Sequence, residues 1–283
     1  MMYFLLLNAQ HGHALQGQGV MSVIAFHISG LICLLANPYV ILGLFILGFV
    51  SQHRLLFVRS LQLMLWMMVV GASLKALSVA VGLPALFHTK IFPSGHTLAV
   101  MAFYGPLLWW QPQPQRLFFV LLMIAYGGAI CYRGYHQPVD VLGSWVIGFI
   151  LLDTYHKVRM NTRSQKKYFQ EDLWLWVTTL PFLFFLAWSS SVPAHAWMGF
   201  YALLGLTAAT RLYPSYLDIR LSFMHRVITV LLLFSSFVGV GFLCHTLSGY
   251  LPLGLALFPW MAGGSTSIIL CCVLSDLRKP SLS

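Results

Sequence analysis

The chain has 283 residues, of which 59% are hydrophobic and only 8% charged, against about 25% charged residues in soluble domains. That composition excludes an ordinary water-soluble domain and predicts an all-α integral membrane protein. The net charge is +10, but the cations fall in loops rather than along one amphipathic face, which argues against nucleic-acid binding and for membrane topology.

The opening "MMYFLLLNAQ" lacks a basic n-region and does not resemble a cleaved signal peptide. About ten spans are then expected, with boundaries good to a few residues. Six run at 20–36, 39–53, 60–83, 96–111, 117–133 and 138–155, and four more at 173–190, 195–211, 226–246 and 251–274. The second, "YVILGLFILGFV", is short for a span. The main polar break runs from Tyr155 to Asp172. The predicted organisation is therefore a six-helix core (1–155) holding the active site, a basic cytoplasmic loop (156–172) and a four-helix region (173–283) to which no motif assigns a role.

Alternating the spans puts thirteen of the sixteen basic residues, from Arg54 to Lys279, on one side. The positive-inside rule makes that side, and both termini, cytoplasmic. Lys75, Lys90 and Arg133 are left at the opposite face. Tryptophans near span ends are expected as interfacial anchors. The five cysteines lack metal-ligand spacing and are expected to be small apolar residues.

Two polar patches stand at the outer face, "KIFPSGHTLAVM" (Lys90–Met101) and "YRGYHQPVDVLG" (Tyr132–Gly143). Between His96 and His136 lie one helix down, a Pro-rich turn and one helix back, each helix covering about 27 Å at 1.5 Å per residue. The two histidines are thus expected to meet at one membrane depth. In the first patch Ser94 suits an N-cap, Gly95 admits a ligand close to the backbone, and the helix start favours an anion. As a plain alternative, Ser-Gly before a helix is a common cap. In the second, His136 and Asp140 are spaced i, i+4, and Pro138 fits a first helical turn. The carboxylate can orient the imidazole, leaving His136 as a nucleophile; the plain alternative is a surface pair at a helix start.

"FPSGHT" followed by "HQPVDVLGSWVIG" resembles motifs two and three of the type 2 phosphatidic acid phosphatase family, which includes lipid phosphate and polyprenyl pyrophosphate phosphatases. The resemblance covers roughly residues 20–155. It implies a helical membrane core, attack by His136 on phosphorus to form a phosphohistidine, orientation by Asp140, and protonation of the leaving oxygen by His96. Ser94 and the Gly95 N–H would bind phosphate oxygens, and no metal or other cofactor is required.

Two family features are missing. Gly82 and Leu83 follow Lys75 where Arg-Pro is expected, and Ala129 and Ile130 replace the Ser-Arg of motif three. Lys75, Lys90 and Arg133 are expected to form a rebuilt phosphate cage, although lysine does not reproduce the bidentate fork of arginine. A lipid phospho-headgroup transferase with the same His-His-Asp set is the second reading, and a lipid-binding scaffold that has lost its chemistry is the third. His88 stands near Lys90; His27, His195 and His245 are expected to be structural. The expected partners are a lipid phosphate or pyrophosphate and membrane lipids, and the expected location is a bacterial inner membrane with the site on the periplasmic side.

Overall fold

The computed structural model describes residues 20–51, 53–82, 92–160, 167–188, 192–213, 219 and 221–276. The chain begins there with α1 (Val20–Cys33), a short 3-10 turn (Leu34–Ala36) and α2 (Pro38–Val50). Asn37 caps α2 by accepting from the Tyr39 N–H at 2.9 Å, and Pro38 supplies the first helical position. This cap ends one helix and starts the next, so the two meet at 56°. α3 (Arg54–Ala80) is the longest element, about 40 Å at 1.5 Å per residue. α4 (Gly95–Tyr104) runs into a π-helical turn (Gly105–Trp109) at Pro106, where the ring removes a backbone donor. α5 (Gln115–Tyr132), α6 (Pro138–Met160) and α7 (Lys167–Trp188) follow. α8 (Ala194–Leu212), α9 (Phe223–Leu247), the single turn α10 (Leu253–Ala256) and α11 (Trp260–Asp276) complete the described chain.

All ten expected segments contain helix. Among the described residues, however, five helical stretches are long and apolar enough to cross a membrane, or up to six if the bent α1–α2 pair counts as one. The expected separate spans at 20–36 and 39–53 are each too short by themselves, since a span needs about 20 residues. The expected loop at 156–172 is shorter, because α6 continues to Met160 and α7 begins at Lys167.

α4 is the innermost element. Leu98, Val100, Met101, Ala102 and Phe103 have no exposed surface, and the helix packs against α3, α6 and α5. The C-terminal helices are not a detached unit, because α8 packs along both α3 and α11. The α8–α11 approach depends on two glycines. A Cβ on Gly205 would overlap the Met261 carbonyl, and one on Gly264 would overlap the Ala202 carbonyl. Small residues at such crossings let backbones touch where lipid offers no competing hydrophobic drive. Outward faces of α5, α6 and α9 carry exposed Phe118, Ile124, Val146, Ile150, Leu231 and Phe242. Apolar surface of this extent is a liability in water and ordinary in lipid.

The helix directions sort the charges. The end of α3, the starts of α4 and α6 and the end of α5 meet at one end of the bundle, joined by hydrogen bonds from Ser78 to the Phe92 carbonyl and from the Ser94 N–H to Ser144. Arg54 and Arg59 start α3, Arg116 starts α5, and Lys157 is near the end of α6, so these cations lie at the other end.

Gly264→Leu should lower the thermal midpoint of the detergent-purified protein by several degrees, since overpacking costs about 1–3 kcal/mol. Gly239→Ala, at a site where a Cβ meets nothing within 4 Å, should leave that midpoint nearly unchanged. Equal midpoints for both variants would contradict the close α8–α11 contact.

Candidate active site

The site is built from the ends of three helices. α5 ends in a Schellman motif: Gly134, at φ 70°, donates to the Cys131 carbonyl at 2.9 Å, and Tyr135 donates to Ile130 at 3.0 Å. A side chain with a Cβ is disfavoured at that φ, so Gly134 sets the direction in which the chain leaves α5. Two residues later comes His136. α6 opens at once with Pro138, and Asp140 folds back to accept from the Gln137 N–H at 3.0 Å. That is one half of a capping box. The turn between α5 and α6 is therefore closed from both sides, and His136 has little freedom.

α4 opens with Ser94 as N-cap, accepting from the Thr97 N–H at 3.3 Å and the Thr97 hydroxyl at 3.0 Å. Ser94 is fully buried. Gly95 and His96 are exposed, and a Cβ built on Gly95 meets nothing within 4 Å. The space in front of Gly95 is open. As at any helix start, the first N–H groups have no intrahelical acceptor, and they face an approaching anion favourably.

Ser144 locks the two segments together. Its hydroxyl accepts from the Ser94 N–H at 2.7 Å and donates to the Asp140 carbonyl at 2.6 Å. The start of α4 is thus fixed against the first turn of α6. The consequence is the arrangement of His96 and His136, whose ring centroids are 6.0 Å apart with planes at 60°.

Behind His136 stands Asp140, with Nδ1 to Oδ2 at 3.7 Å and both side chains almost fully buried. That distance is an ion-pair contact, too long for a hydrogen bond. His136 Nδ1 and Asp140 Oδ1 are both buried without a hydrogen-bond partner. Unpaired buried polar atoms are costly, and catalytic contacts often tighten only when substrate binds. A carboxylate needed only as a helix cap would not require a buried imidazole beside it. Burial and then the neighbouring His96 hold the His136 imidazole below its ordinary value, with Asp140 pulling the other way. With Nδ1 turned to the carboxylate, Nε2 is the nitrogen left for an incoming group.

The expected residues sort as follows. His96, His136, Asp140, Ser94 and Gly95 come together, with Lys75 in electrostatic reach of both imidazoles. Arg133 is placed elsewhere. Its guanidinium packs on α1, donating to Ser29 Oγ at 3.0 Å and the Phe26 carbonyl at 2.6 Å, with the Phe26 ring 3.7 Å away. A buried guanidinium needs acceptors, and α1 supplies them. Arg133 thus ties the end of α5, and with it the His136 turn, to α1. Lys90 and His88 lie outside the described residues. Two residues carry more weight than their sequence context indicated. Ser144 reads in sequence as a small residue in a helix, and its i, i+4 bond to the Asp140 carbonyl is its only local signal. His195 approaches Lys75 and His96, a placement that its position at the outer end of a span already allowed.

Ser144→Ala removes the shorter of the two hydrogen bonds made by the buried Ser94 N–H, which also donates to the Asp140 carbonyl at 3.4 Å, at a cost of about 0.5–1.5 kcal/mol, and should lower kcat/KM more than it lowers the thermal midpoint. Asp140→Asn should reduce kcat by up to about 10⁴-fold, the size of the equivalent change in a serine-protease triad. If the neutral His136 ring is the reactive form, its titration, displaced downward, sets the acid limb of the pH profile. The acid limb of kcat/KM should therefore fall below about pH 6.5, the ordinary imidazole value. An acid limb at or above that value would contradict the environment described.

Residues 74–164 match the family model of the PAP2 superfamily. No curated protein and no solved structure matches the chain. Lys75, His96, His136 and Asp140 all fall within the matched region, as expected of a PAP2 superfamily member.

Proposed function

We propose that the protein is a membrane phosphatase that hydrolyses a lipid phosphate or pyrophosphate through a phosphohistidine. The superfamily match supports phosphatase-type chemistry. The observation that carries the mechanism is the His96–His136 pair, 6.0 Å apart, with Asp140 behind one ring.

In the first step Nε2 of His136 attacks phosphorus and the bond to the leaving oxygen breaks. In-line displacement puts nucleophile and leaving group on opposite sides of the phosphorus, and His96 stands across from His136 to give that oxygen a proton. In the second step His96 takes a proton from water, which attacks the phosphohistidine and releases phosphate. The Gly95 and His96 N–H groups and Lys75 stabilise the phosphoryl oxygens. Asp140 holds His136 in the tautomer with Nε2 unprotonated and stabilises positive charge on the ring.

The site sits at the helix ends opposite Arg54, Arg59, Arg116 and Lys157. By the positive-inside rule this is the non-cytoplasmic face, periplasmic for a bacterial inner-membrane protein. A lipid would reach it laterally, tails in the bilayer and headgroup at the histidines. The absence of the family arginines, with Arg133 held on α1, favours one second reading, transfer of a phospho-headgroup to another alcohol. The His136 step is the same, with a hydroxyl replacing water.

A panel of lipid phosphates and pyrophosphates presented to purified wild type should release inorganic phosphate. His136→Ala should reduce that release by about 10³-fold or more. Headgroup transfer to an added lipid alcohol without phosphate release would select the transferase reading. No turnover of either kind, or full activity in His136→Ala, would reject both.

A further inference from the structure

The matched region stops at residue 164, but the polar cluster around the histidine pair continues beyond it. α8 begins at Ala194, after Pro193, and its second residue is His195. The next, Ala196, is fully buried in a small apolar cluster with Val69 and Ala72 of α3, against which Ala76 also packs. This fixes the start of α8 beside the turn of α3 that carries Lys75. One turn further along, Gly199 lies against the Leu65 carbonyl and Met68 of α3, so the placement is held by a packed interface. His195 is exposed, and its imidazole is in electrostatic reach of Lys75 and His96. The same two groups act on His136. The cluster therefore extends from His136 through His96 and Lys75 to His195.

A histidine at the rim of a membrane helix has no need to lie in electrostatic reach of a lysine and a second imidazole. Cationic groups brought together disfavour each other's charged forms, and among the described residues Asp140 is the carboxylate acting on His136. The arrangement becomes favourable when an anion lies among these groups. Direction then matters. His136 attacks from one side, and the leaving oxygen departs beside His96. Groups beyond His96 meet whatever carries that oxygen. In a lipid monophosphate this is a carbon, and two further cationic groups there would stabilise little. In a lipid diphosphate it is a second phosphate, which gains negative charge as the bridging bond breaks.

We infer that His195, from the C-terminal helices, is a specificity-determining residue that binds the inner phosphate of a lipid diphosphate, with Lys75 between it and the transferred phosphoryl group. The inference rests on the phosphohistidine reading above. The His136 Nε2–phosphorus bond forms at the terminal phosphate, and the bridging P–O bond breaks with its electron pair left on the bridging oxygen. His96 gives its proton to that oxygen, and lipid monophosphate leaves. Water then attacks the phosphohistidine, the N–P bond breaks, His96 regains a proton, and inorganic phosphate departs. The four-helix region thereby acquires a role, which is to carry the group that recognises the leaving phosphate.

The test compares kcat/KM for farnesyl diphosphate and farnesyl monophosphate in the detergent-purified full chain. Wild type should prefer the diphosphate. His195→Ala should lower the diphosphate-to-monophosphate ratio by about tenfold, the scale of one lost charge-assisted contact. His195→Lys, which restores a cation, should recover most of the ratio. A ratio unchanged in both variants, including equal losses on both substrates, would overturn the inference while leaving the phosphatase reading intact. A wild type inactive on both substrates would remove the phosphatase reading and this inference with it.

Discussion

The site depends on one buried hydroxyl. Ser144 joins the Ser94 N–H to the Asp140 carbonyl, and so ties the entry of α4 to the first turn of α6. The backbone between α3 and α4 is not helical at Ser94, so its polar groups need partners in an apolar bundle. Ser144 and Ser78 provide them, the latter by donating to the Phe92 carbonyl. Close approach is possible because residue 143 is glycine, where a Cβ would collide with the Phe92 ring. Satisfying the backbone in this way brings the two imidazoles together, edge toward face.

The Asp140 carboxylate illustrates how structural and chemical roles overlap. It caps α6 through the Gln137 N–H and stands behind His136. The cap keeps the carboxylate in place, and the remaining capacity of its oxygens is turned toward the imidazole. Arg133 takes the complementary part by fastening the other side of the same turn to α1. The turn between α5 and α6 is thus held by a Schellman motif, a cap and a buried guanidinium, and His136 is the residue enclosed by all three.

The positions of the helices were legible from apolar runs, because every expected segment contains helix. The bend between α1 and α2 was not. Asn37 and Pro38 break one apolar stretch into a bent pair, and hydropathy alone does not distinguish a bend from a loop. The meeting of His96 and His136 was legible from chain length, since a helix out and a helix back must return near their start. The fate of Arg133 was not, because its acceptors on α1 are more than a hundred residues away in sequence. The setting of His195 was not legible for a related reason. It lies outside the motif-bearing region, and its relation to Lys75 depends on how Ala196 packs against α3. Long-range packing between the core and the C-terminal helices decides both cases, and no local pattern encodes it.

The central claim is that His136 carries the phosphoryl group between the two steps. Its most direct test is to trap that species. His96→Ala protein should accumulate it when given a lipid phosphate whose leaving group needs no proton, because the water step lacks its base. Quenching under alkaline conditions, where phosphohistidine survives, followed by peptide mass spectrometry should then find one phosphate on the peptide containing His136. A phosphorylated residue elsewhere in the chain, or turnover with no covalent phosphate on His136, would contradict the account.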